Sequence, residues 1–136
     1  MDLRAKITGE LQQRRRRNPR YSMRAFARAL GTHHATLSQI LQHRRRLTPR
    51  AIRALGARLG LTPAQVAEAC LAENCAVIRR LVGDARFVPD CRWIATMTGL
   101  ALDDVNVALH WLLYRRELVM QTQSTWTTSI SEAAEH

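Results

Sequence analysis

Apolar residues recur every three to four positions through residues 22–30 and again through residues 33–43, which is the spacing of two short amphipathic helices. Gly31 stands between them and can take the left-handed backbone conformation that most side chains resist. Ala27 is small enough for the two helices to cross closely, and Leu37 is placed to fill the angle between them. The pattern therefore predicts a helix-turn-helix unit.

Caps and prolines mark the other helices of the first half. Residues 2–17 carry one apolar stripe at helical spacing and end at Asn18-Pro19. Two further helices begin at Thr48-Pro49 and Thr62-Pro63, where a hydroxyl can cap the helix and proline fits its first turn. The first of these two helices is predicted to end near residue 59 and the second near residue 71. We therefore predict five helices in an N-terminal domain of residues 1–72.

The second half repeats the pattern of the helix pair 68 positions later. The residues Ala95, Gly99, Val105 and Leu109 stand where Ala27, Gly31, Leu37 and Leu41 stand in the first copy. A glycine again separates two helical segments, and small and branched apolar residues again occupy the expected crossing positions. This repeat predicts a second helix-turn-helix unit.

The elements around this second unit extend the pattern. They are helices over residues 73–82, 90–97 and 102–116, followed by threonine-rich strands over residues 118–122 and 125–130. Two short strands after such a helix pair favour a β-hairpin, so residues 73–130 are expected to form a winged helix, with residues 131–136 as a tail. The predicted fold class is mostly α with one small β-hairpin.

Charge separates the two halves of the chain. Residues 1–60 hold 15 basic and 2 acidic residues, a net charge of +13, within the total of +10. Residues 61–136 hold 6 basic and 9 acidic residues, a net charge of −3. Basic side chains concentrated on one part of a chain are typical of proteins that face phosphates. The first half is therefore the candidate for nucleic-acid binding.

The helix pair alone does not decide this function, because small-residue helix pairs with a glycine turn also occur in helical proteins that never bind DNA. The arginines around the pair favour DNA binding; they are residues 14–17, 20, 24, 28, 44–46 and 50. About two of the four arginines in residues 14–17 are expected to be only a solvated helix end, where they suit the negative end of the helix dipole.

The signature positions carry a family resemblance. With Ala27, Gly31, Leu37 and Ile40 in those positions, residues 22–60 resemble the lambda-repressor and Cro-like class of bacterial and phage regulators, of the xenobiotic-response-element type. The segment from residue 18 to residue 27 is similar to one family of predicted bacterial regulators in which such a module precedes a winged-helix region. The resemblance implies that the second helix lies in the major groove and that its first residues touch base edges. By position, the base-reading residues would be His34, Ala35, Ser38 and Gln39, with Gln42 at the flank.

A phosphate-binding surface is expected beside that helix. Helix N-termini offer unpaired backbone amides to anions, so the helix start at residues 48–50 and the arginine-rich loop at residues 44–46 together predict a phosphate clamp. The expected phosphate-contacting residues are Arg17, Arg20, Arg24, Arg44, Arg45, Arg46, Thr48 and Arg50.

The second helix pair does not suit DNA. The positions equivalent to the base-reading ones hold Leu102, Asp103, Asn106 and Val107, and a carboxylate at the tip of such a helix is repelled by phosphates. Val107, Trp111 and Tyr114 form a second apolar stripe on this helix, which indicates an association surface. Two interpretations remain open: the wing or the protein's own first domain covers these rings, or a protein partner does, with a second copy as the expected one.

Other functional classes find little support. Ser22 and Ser38 lack an activating partner and there is no glycine-rich phosphate loop, so we expect no enzyme activity. The three cysteines contain no CxxC pair, which suits a reduced cytosol, and we expect no metal or cofactor. No apolar run reaches the roughly 18 residues of a membrane span, and residues 1–17 lack the apolar core of a signal peptide. The expected location is the cytoplasm.

These observations predict a sequence-specific DNA-binding transcriptional regulator of bacterial or phage type, which binds double-stranded DNA as a homodimer. The alternative is a protein-interaction adaptor that inactivates another regulator through its acidic module, while its basic half binds nucleic acid without sequence preference.

Overall fold

The computed structural model describes residues 2–128. This part of the chain is mostly helical and ends in a small antiparallel hairpin, as predicted. Its helices are α1 (Leu3–Arg17), α2 (Met23–Ala29), α3 (His34–Leu41), α4 (Pro49–Arg58), α5 (Pro63–Val82), α6 (Cys91–Thr98) and α7 (Leu102–Tyr114), and its strands are β1 (Leu118–Met120) and β2 (Trp126–Thr128). Across residues 2–128, none of these helices combines the length and the apolar character that a membrane crossing requires.

The chain divides into two compact units, with the boundary between Cys70 and Leu71. The prediction of separate helices over residues 62–71 and 73–82 is wrong, because a single helix, α5, continues across this boundary. The segment that joins the two predicted helices contains no glycine or proline, so nothing in it ends a helix. Ala69 of α5 is buried in the core of the first unit, and Ile78 of α5 is buried in the core of the second.

The core of the first unit is built from one face of each helix. The larger buried side chains that α1 to α4 contribute are Leu3, Ile7 and Leu11 of α1, Phe26 of α2, Leu37 and Ile40 of α3, and Ile52 and Leu55 of α4. Fully burying a side chain of this kind contributes roughly 1.5–3 kcal/mol. The apolar stripes at helical spacing are therefore the surfaces by which these short helices hold one another.

The turn between α2 and α3 depends on a backbone conformation that glycine adopts without strain. Gly31 has a φ of 72°, in the left-handed region. The backbone N–H of Thr32 then donates to the carbonyl oxygen of Ala27 at 2.9 Å, which closes the end of α2. Ala27 and Leu37 are both buried at this crossing. The helix-turn-helix geometry predicted from the sequence is confirmed.

The start of α2 is capped and stapled. The hydroxyl of Ser22 accepts a hydrogen bond from the backbone N–H of Ala25 at 3.1 Å. The ring of Tyr21 packs edge-on against Phe26, with ring centroids 6.3 Å apart. Both contacts set the angle at which the chain enters the helix pair.

The second unit repeats the turn. Gly99 has a φ of 73°, and its backbone N–H donates to the carbonyl oxygen of Ala95 at 2.9 Å. Val105 and Leu109 of α7 are buried, as their counterparts in the first pair predict for a crossing point. The repeat seen in the sequence therefore recurs as a left-handed glycine that ends the first helix of each pair, although the hydrogen bonds that close the two turns differ.

The hairpin that follows α7 is shorter than predicted. Leu118 pairs with Thr128 and Met120 pairs with Trp126, but the predicted strands extended over residues 118–122 and 125–130. Beyond the paired strands, the backbone N–H of Gln121 still donates to the carbonyl oxygen of Thr125 at 2.9 Å. The hydroxyl of Thr122 accepts from the backbone N–H of Ser124 at 3.2 Å in the turn that closes the hairpin. Residues 129–130 of the second predicted strand and the predicted tail of residues 131–136 lie outside the described residues.

Two polar contacts hold α7 and the segment after it against α5. The thiol of Cys75 donates to the carbonyl oxygen of Ala108 at 3.7 Å, and burial raises the pKa of this thiol. Arg79 and Glu117 form a partly buried ion pair at 3.1 Å. Among residues 2–128, no group of three or more His, Cys, Asp and Glu side chains is arranged to hold a metal ion.

Two glycine-to-alanine substitutions test the turn. Gly31→Ala forces an L-residue into the left-handed region and should lower the free energy of unfolding of the first unit by about 1–2 kcal/mol. The matched control is Gly9→Ala in α1, where nothing lies within 4 Å of the added Cβ. Because alanine favours a helix over glycine, Gly9→Ala should raise that free energy by about 0.5–1 kcal/mol.

Urea unfolding followed by far-UV circular dichroism measures both changes. All three tryptophans lie in the second unit, so their fluorescence reports whether that unit is unaffected. Equal effects of the two substitutions would contradict the strained-turn explanation.

Candidate nucleic-acid interface

The five expected base-reading residues share one face of α3. Ala35, Gln39 and Gln42 are exposed there, and His34 and Ser38 are half-buried. The opposite face carries the buried side chains of the first core. A short helix with one apolar face in the core and one polar face outward is therefore fixed in its rotation about its own axis.

Hydrogen bonds order both ends of this polar face. Nδ1 of His33, the N-cap residue, accepts from the backbone N–H of Ala35 at 3.3 Å. Near the other end, Nε2 of Gln42 donates to the hydroxyl of Ser38 at 3.4 Å. The first contact caps α3, and the second restricts the rotamers of Ser38 and Gln42 before any ligand binds.

His34 lies in a setting that disfavours its charged form. Its ring lies on that of His33, with ring centroids 4.5 Å apart. Loss of hydration, followed by the charges of Arg24 and His33, lowers the pKa of His34. The lowered pKa favours the neutral ring, in which one nitrogen donates a hydrogen bond and the other accepts one.

The expected phosphate-contacting residues are all exposed. They are Arg17, Arg20, Arg24, Arg44, Arg45, Arg46, Thr48 and Arg50. Three of these lie in the loop that follows α3 and two at the start of α4. The first unit therefore presents a guanidinium-rich surface next to the polar face of α3.

The start of α4 offers fewer amides than a free helix end. Pro49 has no N–H, and the hydroxyl of Thr48 accepts from the backbone N–H of Ala51 at 3.2 Å. Backbone N–H groups in the first turn of a helix have no intrahelical partner. Of residues 49–51 at the start of α4, this leaves the N–H of Arg50 as the donor available to an anion. The side chain of Thr48 is thus engaged as a cap, and the predicted anion-binding role rests on the Arg50 amide and the arginine side chains.

Two arginines of the run at residues 14–17 have structural partners. Arg14 donates through Nη1 to the Tyr21 hydroxyl at 2.9 Å and through Nε to Glu10 at 3.2 Å. Arg15 donates to the carbonyl oxygen of Tyr21 at 3.2 Å. These two side chains hold the entry into α2 and are not only a solvated helix end. Arg17 remains an exposed candidate for phosphate contact.

Arg4 is a residue whose role the sequence did not reveal. It lies on α1, yet its Nε donates to the carbonyl oxygen of Ile40 at 2.9 Å and its Nη2 to that of Arg45 at 3.3 Å. Nη1 of Arg45 in turn donates to the Thr36 hydroxyl at 3.3 Å. Arg4 thus holds the C-terminal end of α3 and the basic loop after it, both of which carry expected DNA contacts.

Comparison with known proteins supports a helix-turn-helix domain in the first unit. Residues 8–69 match a family model described as a helix-turn-helix domain, and this range contains α2, α3 and α4. Comparison with curated proteins and with solved structures found no match. The polar face of α3 is therefore the candidate DNA-binding surface of a helix-turn-helix domain.

Removing the Arg4 contacts should loosen the basic loop. Arg4→Met leaves the carbonyl oxygens of Ile40 and Arg45 without this donor, so amide hydrogen exchange in residues 41–46 should become faster, by about fivefold if the contacts stabilise the loop by about 1 kcal/mol. Lys6→Met removes the same charge from the exposed side of α1 and is the control. Exchange measured by mass spectrometry at residues 41–46 should be unchanged in the control. Equal acceleration in both variants would show that charge, and not the two hydrogen bonds, is responsible.

Proposed function

Because residues 8–69 form a helix-turn-helix domain, we propose that the protein is a sequence-specific DNA-binding transcriptional regulator of bacterial or phage type that acts as a homodimer in the cytoplasm. The observation that carries the proposal is the polar face of α3, which stands outward beside an arginine-rich loop while the opposite face is fixed in the core. In such domains the second helix of the pair lies in the major groove. Double-stranded DNA is the proposed partner.

The chemistry of the face supports base-specific contacts. The amide of Gln39 can donate to and accept from the edge of adenine in a bidentate manner. Neutral His34 can donate one hydrogen bond to an acceptor of guanine. The arginines of residues 44–46, together with Arg17, Arg20, Arg24 and Arg50, can neutralise phosphates and hold α3 at its depth in the groove.

In this proposal the second unit is a winged helix that does not bind DNA. It combines a helix pair with a following hairpin, but Asp103 and Asp104 are exposed at the start of α7. Phosphates repel carboxylates in this position. We assign the unit to association, because a single small domain contacts too few base pairs for discrimination in a genome and regulators of this kind bind paired half-sites about 34 Å apart.

Two substitutions distinguish base reading from phosphate binding. Gln39→Ala should cost roughly 1–3 kcal/mol at the preferred site and relax the preference at one base pair, since it removes a contact to a base edge. Arg44→Ala should weaken binding to all sequences alike and reduce the slope of log affinity against log salt by about 1, since it removes a phosphate contact. Binding titrations on a panel of single-base variants measure both effects.

Gln13→Ala, at an exposed position of α1, is the matched control for the glutamine substitution and should leave affinity unchanged. If Gln39→Ala and Arg44→Ala reduced affinity in the same proportion at every site of the panel, the proposed division of roles would be wrong.

A further inference from the structure

The outward face of α7 is apolar in its middle. Val107, Trp111 and Tyr114 are 51%, 42% and 76% exposed, so the hairpin leaves this face open. The rings of Trp111 and Tyr114 pack edge-on with centroids 5.9 Å apart, which forms one continuous ridge. The opposite face of the helix, with Val105 and Leu112, is fully buried in the core of the second unit. The ridge is therefore held on a rigid support.

The ridge carries opposite charges at its two ends. Asp104 lies in the first turn of α7, and Arg115 is the C-cap residue at its other end. They are eleven positions apart, which is about three helical turns, so both side chains lie on the side of the helix that carries Trp111. Asp104 and Arg115 are both exposed, and so is Tyr114, the residue before Arg115. The face thus runs from acidic through apolar to basic.

A face that is acidic at one end and basic at the other is complementary to a second copy of itself that runs in the opposite direction. In a parallel pair of α7 helices, Asp104 would face a second Asp104 and Arg115 a second Arg115. In an antiparallel pair, each Asp104 faces the partner's Arg115, and this contact forms twice across a two-fold axis. Electrostatics therefore favours the antiparallel arrangement, because like charges placed opposite each other across an interface repel.

The same arrangement brings the apolar side chains together. The midpoint between Asp104 and Arg115 lies between residues 109 and 110, so a two-fold axis placed there has Trp111 beside it. Val107 then lies within one helical rise, about 1.5 Å, of the level of the partner's Trp111. Tyr114 lies as close to the level of the partner's Asp104, which its hydroxyl can reach as a donor. Tryptophan and tyrosine at the centre of an interface are the residues that most often carry its binding energy.

We propose that the occupant of this face is a second copy of the chain, bound through an antiparallel pairing of α7 with α7 about a two-fold axis, with Asp104 and Arg115 forming reciprocal ion pairs at its ends. The pairing deepens the association assigned to the second unit under the proposed function, and it requires no DNA. It joins the two copies through residues of their second units, which are distinct from the residues on the polar face of α3.

Reciprocal charge reversal tests the geometry. Asp104→Arg and Arg115→Asp each create two like-charge contacts in the homodimer, so each variant alone should dimerise about tenfold or more weakly than the wild type in sedimentation equilibrium without DNA. An equimolar mixture of the two variants should dimerise as tightly as the wild type, because each mixed pair has opposite charges at both ends. The double variant Asp104→Arg/Arg115→Asp should also recover the homodimer.

Arg92→Asp is the control for charge, since it makes the same change at an exposed position of α6 and should dimerise like the wild type. Circular dichroism and tryptophan fluorescence establish that each variant is folded, and recovery in the double variant does so independently. Single variants that dimerise normally, or a mixture that stays as weak as its components, would overturn the antiparallel pairing. A wild-type protein that is monomeric at tens of micromolar would overturn it too and leave a different protein as the occupant.

The result of the pairing experiment can be distinguished from a test of DNA binding. Binding of one copy to DNA through α3 does not use the face of α7. A failure of pairing with sequence-specific DNA binding retained therefore rejects the α7 pairing and the homodimer, and leaves the DNA-reading part of the proposed function intact. Normal pairing without any sequence preference on DNA would reject the proposed function alone.

Discussion

The orientation of α3 depends on the left-handed turn at Gly31. A helix of eight residues is too short to be stable by itself in water, so α3 exists because its buried side chains pack on α1 and α2. The turn determines the angle at which this packing occurs, and Ala27 permits the close approach that Leu37 then fills. If the backbone at Gly31 took another conformation, the polar face of α3 would point elsewhere. The candidate site therefore depends on one backbone dihedral more than on any side chain within the site.

The same turn occurs twice in the chain and supports two opposite surfaces. Gly31 and Gly99 have φ values of 72° and 73°, and a buried apolar residue follows each at the same interval. Around the first turn the exposed positions are polar and basic, whereas around the second they are acidic and aromatic. Backbone geometry thus provides a rigid helix in both units. The exposed residues of that helix decide whether it suits a polyanion or a protein surface.

The local features of the fold were predictable from the sequence, because they depend on residues three to five positions apart. The helix pair, the caps at Ser22 and Thr48, and the glycine turns all belong to this class. The break predicted near residue 72 was wrong for a physical reason: a boundary between two cores does not require the helix that crosses it to end, and only local breakers would have ended it.

The candidate site was predictable only in part. The positions of His34 and Gln39 on one face of a helix follow from helical spacing, and in the structure Gln39 is exposed and His34 half-buried on that face. The two contacts of Arg4 reach residues that lie 36 and 41 positions further along the chain. A local sequence pattern cannot predict contacts over such separations. In the same way, the sequence shows four arginines at residues 14–17 without distinguishing them. Only the packed structure shows that Arg14 and Arg15 hold Tyr21.

The central claim is that a pair of first units presents two copies of α3 to DNA and recognises its sequence. Selection of bound DNA from a pool of random duplexes, carried out with the full chain, tests this claim most directly. The expected result is enrichment of two inverted half-sites whose centres lie one helical turn of DNA, about 10 base pairs, or a multiple of it apart. A pool that remains unenriched while the protein still binds DNA would contradict the claim, and it would favour the alternative of an adaptor whose basic half binds nucleic acid without preference.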